Sequence, residues 1–561
     1  MAGSDPAGEA GGGPPASGPG GGWRLRQAAS AFLFRSPLYR YSLKGRHPHG
    51  LTATPADPWP GDPDCADALF QGRYRFAGEE VTAPNQAVWT ASGMSEAWLA
   101  ELHGFAWLRH FAARGGDAAQ RHARALVASW IETFPDWHPL AWRPDVIGRR
   151  LIAWLGHGPF IIQNAELTYR SRVLDSIVRQ SRHLARAVGL VPGGPPRLAA
   201  ISGLIYSGVC LPDGRRRAIQ GLRLLERELE AQILGDGGHV ARNPSVLMAV
   251  LRDLVALRGA LVAAEQEVPV GLQNAIDRMG PMLRFFRHGD GGLALFNGGR
   301  EHADGAVDVT LAKAEARGKP LHSAPHSGFE RLTRRRTQVL VDVGPPAPTV
   351  AGALAHAGLL SFEMSVGRNR LVVNCGAPER GGGEWRQATR ATAAHSTLTL
   401  ADTSQFELRP DGIGGRRPAV RCVRHEADGS VWLETSHDGY VPRFGLVHRR
   451  RLYLDASGDD LRGEDRLTPA DGRGAAAGRP FAVRFHLHPQ VQASLVQSGA
   501  VLLRPPTGAG WQVRAAGGEM TIEPSVYAGG GEIRRCEQIV LSGRVEGGDT
   551  VVKWAIRRVP D

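Results

Sequence analysis

The sequence predicts a multidomain α+β protein in which an all-helical N-terminal half precedes an antiparallel β-sandwich. Its 561 residues correspond to roughly two to four domains. Apolar residues recur at intervals of three and four from about residue 92 to 285, which indicates amphipathic helices. After about residue 321 the apolar period becomes two, which indicates strands. With 42% hydrophobic and 22% charged residues, the chain has the composition of a globular protein.

The chain begins with two segments that do not belong to either half. Residues 1–25 are rich in Gly, Pro, Ala and Ser and predict a disordered tail. Residues 26–91 form an N-terminal arm that opens with a basic, amphipathic stretch. Such a stretch is typical of a helix packed on the body of the protein, or of one that makes peripheral contact with a membrane. No apolar run resembles a transmembrane helix or a signal peptide, so the sequence predicts a cytoplasmic location.

The helical half is predicted over residues 92–320. Strings such as "AAQRHARALVASWIETF" carry the helical period, and Gly, Pro and Asp clusters separate them. In "RNPSVLMAVL" Asn243 directly precedes Pro244, a pattern typical of a helix N-cap followed by proline in the first turn. The Gly-rich residues 286–320 form a connector to the next domain.

The second half, residues 321–561, is predicted to be a β-sandwich. Short runs such as "TQVLVDVG", "RLVVNCG" and "TVVKWAIRR" follow one another without intervening helices. Consecutive antiparallel strands in this number must stack as two sheets or close up to bury their apolar faces. Ligands often bind between domains, so the junction is the first place to expect a site.

Four strings identify a family resemblance. They resemble the heparinase II/III family of polysaccharide lyases: "DGGHVARNPSVLMAVLRDL" (236–254), "DGGLALFNG" (290–298), "HAGLLSFEMSVGRNRLVVNCG" (356–376) and "WRQATRATAAHSTLTL" (385–400). The resemblance implies that the helical half is an incomplete α/α toroid stacked on the sandwich, with an acidic polysaccharide or oligosaccharide bound between them. It also implies β-elimination at a uronate. That reaction needs a base for the C5 proton, a group that neutralises the carboxylate, and an acid for the leaving oxygen.

The resemblance also implies a metal position in the sandwich. The two histidines and the aspartate that bind metal in the family correspond to His356, His395 and Asn374, so zinc is a possible cofactor. Asn is a poorer zinc ligand than a carboxylate, and these side chains can equally form hydrogen bonds within the sandwich. The first His of the family pattern, often assigned as catalytic, corresponds to Leu354. No organic cofactor is expected.

Two further family positions have lost their usual chemistry. Where many relatives have Tyr and His after "DGGHFEQSPM", this chain has Val246 and Leu247. The candidates for proton transfer that remain by position in the resemblance are Tyr206, His239 and His395.

The resemblance places five side chains where they could bind substrate. Arg242 and Asn243 lie where a loop becomes a helix, a place that favours anions, although a helix cap and a solvated arginine explain them equally well. Trp385, Arg386 and Arg390 could stack on a sugar and pair with its carboxylate. Alternatively, they belong to a surface hairpin with a core tryptophan.

Two function classes follow from these residues. The first is a lyase acting on a uronic-acid polymer. The second is a catalytically degenerate protein that keeps the fold and binds a glycan or serves as a scaffold. The formal charge of +12 suits an acidic partner, but the basic residues are spread along the chain, so no nucleic acid is expected. The family resemblance offers the cell envelope or periplasm as an alternative location, and the oligomeric state is not predicted.

Overall fold

The computed structural model describes residues 29–45, 48–83, 87–348, 355–379, 383–410, 412–471 and 476–560. The predicted disordered tail and Leu354 lie outside these residues. Each helix among these described residues is too short or too polar to span a membrane.

The N-terminal half is helical, as the period predicts. A short hairpin of β1 (Arg73–Phe76) and β2 (Glu79–Thr82) precedes the main array. Residues 29–34 are helical. The helices that follow are α1 Pro37–Ser42, α2 Pro63–Phe70, α3 Glu96–Gly104, α4 Leu108–Arg114, α5 Gly116–Thr133, α6 Pro144–Gly156, α7 Gly158–Ile161, α8 Leu167–Ala187, α9 Pro195–Cys210, α10 Arg215–Gln232, α11 Pro244–Ala263, α12 Val270–Phe285 and α13 Ala306–Lys313.

Large aromatic side chains and small residues set the packing of these helices. The indole rings of Trp98, Trp130 and Trp154 are buried in the core, where they fill the wedges between neighbouring helices. Helices α6 and α9 approach closely because glycine faces backbone at their contact. A Cβ atom on Gly148 would lie 2.3 Å from the Ala199 carbonyl oxygen, so a larger residue would force the two helices apart.

The C-terminal half is a sandwich of two antiparallel sheets. The strands are β3 Ser323–Ala324, β4 Phe329–Arg334, β5 Thr337–Asp342, β6 Phe362–Val366, β7 Asn369–Val373, β8 Leu398–Leu400, β9 Glu407–Arg409, β10 Gly412–Gly414, β11 Val420–Ala427, β12 Ser430–His437, β13 Leu446–Leu454, β14 Asp460–Pro469, β15 Pro480–Leu487, β16 Gln492–Leu495, β17 Val501–Arg504, β18 Trp511–Ala516, β19 Glu519–Tyr527, β20 Arg534–Arg544 and β21 Thr550–Arg558. The first sheet has the order β11-β12-β13-β14-β21-β18-β17-β16, and the second has the order β19-β20-β15-β7-β6-β5-β4-β3, with β8 paired to β15. Two short helices, α14 Gly383–Arg390 and α15 Val441–Phe444, lie in its loops.

The two halves share a core. Phe329 and Leu340 of the second sheet belong to the same buried apolar cluster as the helices, whereas the interior of the sandwich forms its own cluster. The Arg331 guanidinium donates to the carbonyl oxygen of Phe285 at the end of α12. The junction is therefore a packed interface, and an open site must lie to one side of it.

Candidate functional site

His356 and His395, two of the predicted metal ligands, contact each other. His356 Nδ1 lies 3.2 Å from His395 Nε2. His395 Nδ1 lies 2.8 Å from the Ala391 carbonyl oxygen and must donate to it, so in the neutral ring Nε2 accepts and His356 Nδ1 donates. Both rings are buried. Burial lowers the pKa of His395 to about 4, and burial, followed by the charge of His395, holds the pKa of His356 well below its usual range. The pair is uncharged at neutral pH.

Asn374 is bonded within the protein on both sides of its amide. Its Oδ1 accepts from Ser396 N at 3.0 Å, and its Nδ2 donates to Glu363 Oε1 at 3.2 Å. The other oxygen of Glu363 pairs with His288 Nε2 at 2.9 Å, and His288 Nδ1 lies 2.9 Å from the hydroxyl of Ser365. This Ser-His-Glu arrangement resembles a hydrolase triad, but all three side chains are buried, so it is structural.

A zinc ion would find an incomplete ligand set at these residues. The 3.2 Å between the two imidazole nitrogens suits two ligands of one tetrahedral zinc at about 2.0–2.1 Å each, and it equally suits the hydrogen bond described above. The third position supplies an amide oxygen that already accepts a backbone N–H. Among the residues that the structure describes, no three His, Cys, Asp or Glu side chains come together as a metal site. Zinc at this position stays a prediction.

His239 has both ring nitrogens occupied. Its Nε2 lies 3.0 Å from Gln232 Oε1, and its Nδ1 accepts from Ala241 N at 3.0 Å. Burial lowers the pKa of His239 to about 4, so the ring is neutral. The imidazole fixes the turn between α10 and α11 and has no free nitrogen for a substrate.

Tyr206 lies inside the helical array. Its hydroxyl donates to the Ala256 carbonyl oxygen at 2.9 Å, and burial raises its pKa. Leu247 is also buried, while Val246 is partly exposed. None of these three positions places a titratable group at an open surface.

Arg242 and Asn243 are committed to the junction of the two halves. The Arg242 guanidinium donates to the carbonyl oxygens of Ser327 and Gly328 and pairs with Asp342. Asn243 caps α11 by accepting from the backbone N–H groups of its first turn, at 2.8 and 3.2 Å. Its Nδ2 donates to the Asn297 carbonyl oxygen at 2.8 Å. The predicted cap is confirmed, and both side chains are buried.

The three remaining candidates for substrate binding, Trp385, Arg386 and Arg390, lie on α14 and differ in their exposure to solvent. Trp385 and Arg386 are exposed and are the members of the predicted substrate-binding set that reach solvent. Arg390 is buried. Its guanidinium donates to the carbonyl oxygens of Ala355, Arg409 and Gly412 at 2.8–2.9 Å and so holds two loops together.

A set of charged side chains that the sequence did not single out lies beside the junction, and we name it the cleft cluster. In this cleft cluster the Arg300 guanidinium lies 3.6 Å from Glu379, which extends from the sandwich, and His302 Nε2 lies 3.1 Å from the hydroxyl of Ser245. The Arg252 guanidinium stacks on the ring of Trp59 at 4.4 Å. The cleft cluster consists of Asp57, Glu101, Arg109, Arg149, Arg252, Asp253, Arg300, His302 and Glu379.

Exposed side chains that have nevertheless lost hydration indicate that this cluster lines a concave surface. Asp253 and Glu101 are exposed, yet surrounding protein raises the pKa of each carboxyl by removing hydration, against the opposing charge of Arg149. The same loss of hydration lowers the pKa of His302, and the charges of Arg252 and Arg300 add to this effect. His302 is therefore a neutral, partly exposed imidazole beside two guanidinium groups.

One signal in the sequence could have indicated this cluster. Arg252 and Asp253 interrupt α11, which is otherwise almost wholly apolar along "VLMAVLRDLVAL". A charged pair inside such a helix must face a polar environment, because an isolated buried charge is costly. The other members come from separate helices and loops, and no local motif connects them.

Comparison with known proteins places these observations in a family. Residues 316–555 match the family described as Heparinase II/III-like, C-terminal. Over 528 residues the chain is 33% identical to FtsZ-localized protein C of Caulobacter vibrioides, and the match covers 91% of each chain.

Two solved structures share the architecture. The crystal structure of heparinase III has a TM-score of 0.73 at 13% identity, covering 96% of this chain and 91% of that one. A mutant of a heparan sulfate lyase from Pedobacter heparinus has a TM-score of 0.63 at 17% identity, covering 95% and 89%. The predicted helical toroid followed by an antiparallel sandwich is thus confirmed. By its sequence match and its relative, the chain belongs to the heparinase II/III-like family.

Proposed function

We propose that this chain is a catalytically silent member of the heparinase II/III-like family that serves as a scaffold at the site of cell division, in association with FtsZ. One observation carries the proposal. Each family position that would transfer a proton is either replaced by an aliphatic residue or bonded within the protein. The relative that matches nearly the whole chain is named for its localisation with FtsZ, which supports the division site as the place of action.

Elimination needs a base with a free lone pair within hydrogen-bond reach of the C5 proton. His239 offers neither nitrogen, and the hydroxyl of Tyr206 is buried and donates to a carbonyl. His395 is engaged through both nitrogens. A polymer could reach these groups only if the surrounding structure opened.

The charge of the cleft also argues against a polyanionic substrate. The cleft cluster, as defined above from described residues, contains four arginines and four carboxylates, so its formal charges balance. The arginines are Arg109, Arg149, Arg252 and Arg300, and the carboxylates are Asp57, Glu101, Asp253 and Glu379. A sulfated or uronate-rich polymer would bring further negative charge next to these carboxylates. Such a cleft favours a ligand with groups of both signs.

A second candidate function, elimination with His302 as the base, has one specific observation in its favour. His302 is neutral and partly exposed, and Arg252 and Arg300 are close enough to affect its pKa, so they could neutralise a uronate carboxylate. This arrangement would be a lyase site at residues other than those that the family resemblance indicated.

One assay separates the two functions. The protein is incubated with a panel of uronic-acid polymers, and the ultraviolet absorbance of the unsaturated product is followed, with heparinase III as the positive control. We expect no absorbance increase on any polymer. Steady product formation that is lost in His302→Ala but kept in His425→Ala, an exposed histidine on β11, would establish the second function instead.

The association with FtsZ is tested separately by sedimentation with polymers of Caulobacter vibrioides FtsZ assembled with GTP. We expect the protein to pellet when polymers form and to stay in the supernatant when FtsZ is kept unassembled with GDP. If it stays in the supernatant in both cases, the FtsZ association is refuted, whatever the lyase assay shows.

The N-terminal segment supports a peripheral membrane contact as part of this function. Tyr39 anchors α1 to α8, because its hydroxyl lies 2.7 Å from His183 Nδ1. On the other side, Phe32, Leu38 and Tyr41 are 84%, 82% and 73% exposed. A short segment in which exposed apolar side chains alternate with basic residues is typical of one that lies on an anionic membrane surface. The segment is packed on the body of the protein on one side and open on the other. Packing on the protein and contact with a membrane are therefore compatible.

A further inference from the structure

An apolar pocket of about 720 Å³ opens between the N-terminal segment and the C-terminal end of α8. Its size is within the range of pockets that enclose small molecules. The lining is mainly aromatic and aliphatic, with Phe34, Trp137, Leu140, Trp142, Leu190 and Val191 as its main members. The cleft cluster contributes no residue to it, so this pocket is separate from the cleft.

One wall of the pocket is the exposed N-terminal segment itself. Ala31 and Phe34 line the pocket, and the Phe34 ring lies 6.0 Å from that of Trp137. The residues between them, Phe32 and Leu33, are 84% and 56% exposed. The same helical turn thus presents one face to the pocket and the other to the surroundings, so anything that covers Phe32 and Leu33 also covers the edge of the pocket.

The charges around the pocket suit a ligand with an apolar chain and an anionic head. Arg35 is exposed beside the opening, with its guanidinium 5.5 Å from the centre of the Trp137 ring. At another edge Arg143 pairs with both Glu96 and Asp145, so these three groups together carry one net negative charge and offer no free cation. A phosphate group would find its cation at Arg35, at the edge nearest the exposed apolar residues.

His183 places an uncharged polar ring in the lining of the pocket. The ring is buried and lines the pocket, and its Nδ1 is engaged with the Tyr39 hydroxyl. The ring also hydrogen-bonds to the backbone of Trp142, which opposes part of the effect of burial on its pKa. Burial lowers the pKa of His183 to about 3, so the ring stays uncharged beside an apolar chain.

We propose that this pocket binds one acyl chain of a membrane phospholipid, whose phosphate is held at Arg35. The inference rests on the membrane contact proposed above and adds to it a specific lipid site. Surface adsorption through Phe32 and Leu33 alone would need no enclosed volume behind them.

The experiment measures membrane attachment and pocket occupancy independently. Attachment is measured by flotation of the full chain with vesicles of phosphatidylcholine and phosphatidylglycerol. Occupancy is measured by quenching of tryptophan fluorescence when the phosphatidylcholine carries dibrominated acyl chains. We expect the parent protein to float and to be quenched, and Trp137→Phe to remove a large part of the quenching, because Trp137 faces the pocket.

Two variants of partly buried lining residues test the pocket. Leu140→Arg introduces a charge, and Ala31→Phe fills space. We expect each to lose at least half of the quenching while flotation changes less than twofold. The matched control is Leu167→Arg, an exposed position at the opposite end of α8, which should behave as the parent does. Circular dichroism and thermal unfolding confirm that each variant is folded.

Titration with diheptanoylphosphatidylcholine monomers, without vesicles, separates the pocket from the membrane contact. Saturable binding that weakens at least tenfold in Leu140→Arg supports the pocket even if the protein does not float, in which case only the membrane contact fails. The proposal is overturned if the parent floats without being quenched, or if quenching and monomer binding are both unchanged in Leu140→Arg and Ala31→Phe.

Discussion

Arg242, two residues before α11, and Asp342 at the end of β5 form a buried ion pair that joins the helical half to the sandwich. The guanidinium also lies 4.6 Å from the centre of the Phe329 ring, and the backbone of Arg242 is left-handed, with φ +56°. The cation that the resemblance assigned to a substrate carboxylate therefore neutralises a carboxylate of the protein itself. Its role is to fix the domain junction.

Removal of one partner of this ion pair should destabilise the whole chain. Asp342→Ala leaves the Arg242 charge buried and unpaired, which costs about 3–5 kcal/mol in comparable cases. We expect a loss of this order in the free energy of unfolding measured with urea. The control is Glu132→Ala, which breaks the Arg172–Glu132 pair at 2.7 Å on the surface, where such a pair contributes about 0–1 kcal/mol. Equal losses in the two variants would contradict the structural role of Arg242.

The fold was predictable because its determinants are local. Helical and strand periods, turn residues and the Asn243 cap are each determined by a few neighbouring residues, and the order of the two halves follows directly from them. The toroid arrangement of the helices came from the four matching strings and not from the period, since periodicity does not determine which helices are neighbours.

The site was less predictable because a side chain's role depends on its partners in space. His239 and Arg390 have the right chemistry at plausible positions, but carbonyl groups, an amide and a backbone N–H occupy their polar atoms. Conversely, Arg149, Asp253 and Glu379 carry no motif and meet only in the folded chain. Sequence matching identified equivalent positions, and it could not indicate which of them had become structural.

The zinc content of the purified protein tests whether Asn374, in place of a carboxylate, prevents metal binding. We expect the purified protein to contain much less than one zinc per chain, because two imidazoles and an engaged amide are a weak ligand set. Asn374→Asp restores a carboxylate beside Glu363, so this variant should gain zinc and become more stable to heat when zinc is added. Elemental analysis and thermal unfolding measure the two effects. One zinc per chain in the parent, lost in His395→Ala, would show instead that the amide suffices.

Acid should destabilise the protein through its buried neutral histidines. The pKa of His239 falls from 6.5 to about 4 on burial, so between these values the unfolded chain binds more protons than the folded one. The free energy of unfolding is therefore unaffected by this group above about pH 6.5. It declines as the pH falls toward 4, by about 3 kcal/mol for this group alone. Urea unfolding at pH 7.5 and 5.0 should show a smaller pH dependence in His239→Gln than in the parent. His425→Gln, at an exposed position, should keep the parent's dependence, and an unchanged slope in His239→Gln would contradict the assignment.

The N-terminal segment should determine attachment to membranes. Phe32→Glu combined with Leu38→Glu replaces two of its most exposed apolar side chains with negative charge. Each large apolar side chain contributes about 1.5–3 kcal/mol when it leaves water, so the double variant should lower the fraction that floats with anionic vesicles at least about tenfold. The buried anchor Tyr39 is untouched, so the fold and the FtsZ sedimentation should be unchanged. Leu495→Glu on β16 makes the same change at an exposed leucine of the sandwich and should float as the parent does. If the double variant floats normally, another surface contacts the membrane, and the position of Phe32 beside the pocket has no functional meaning.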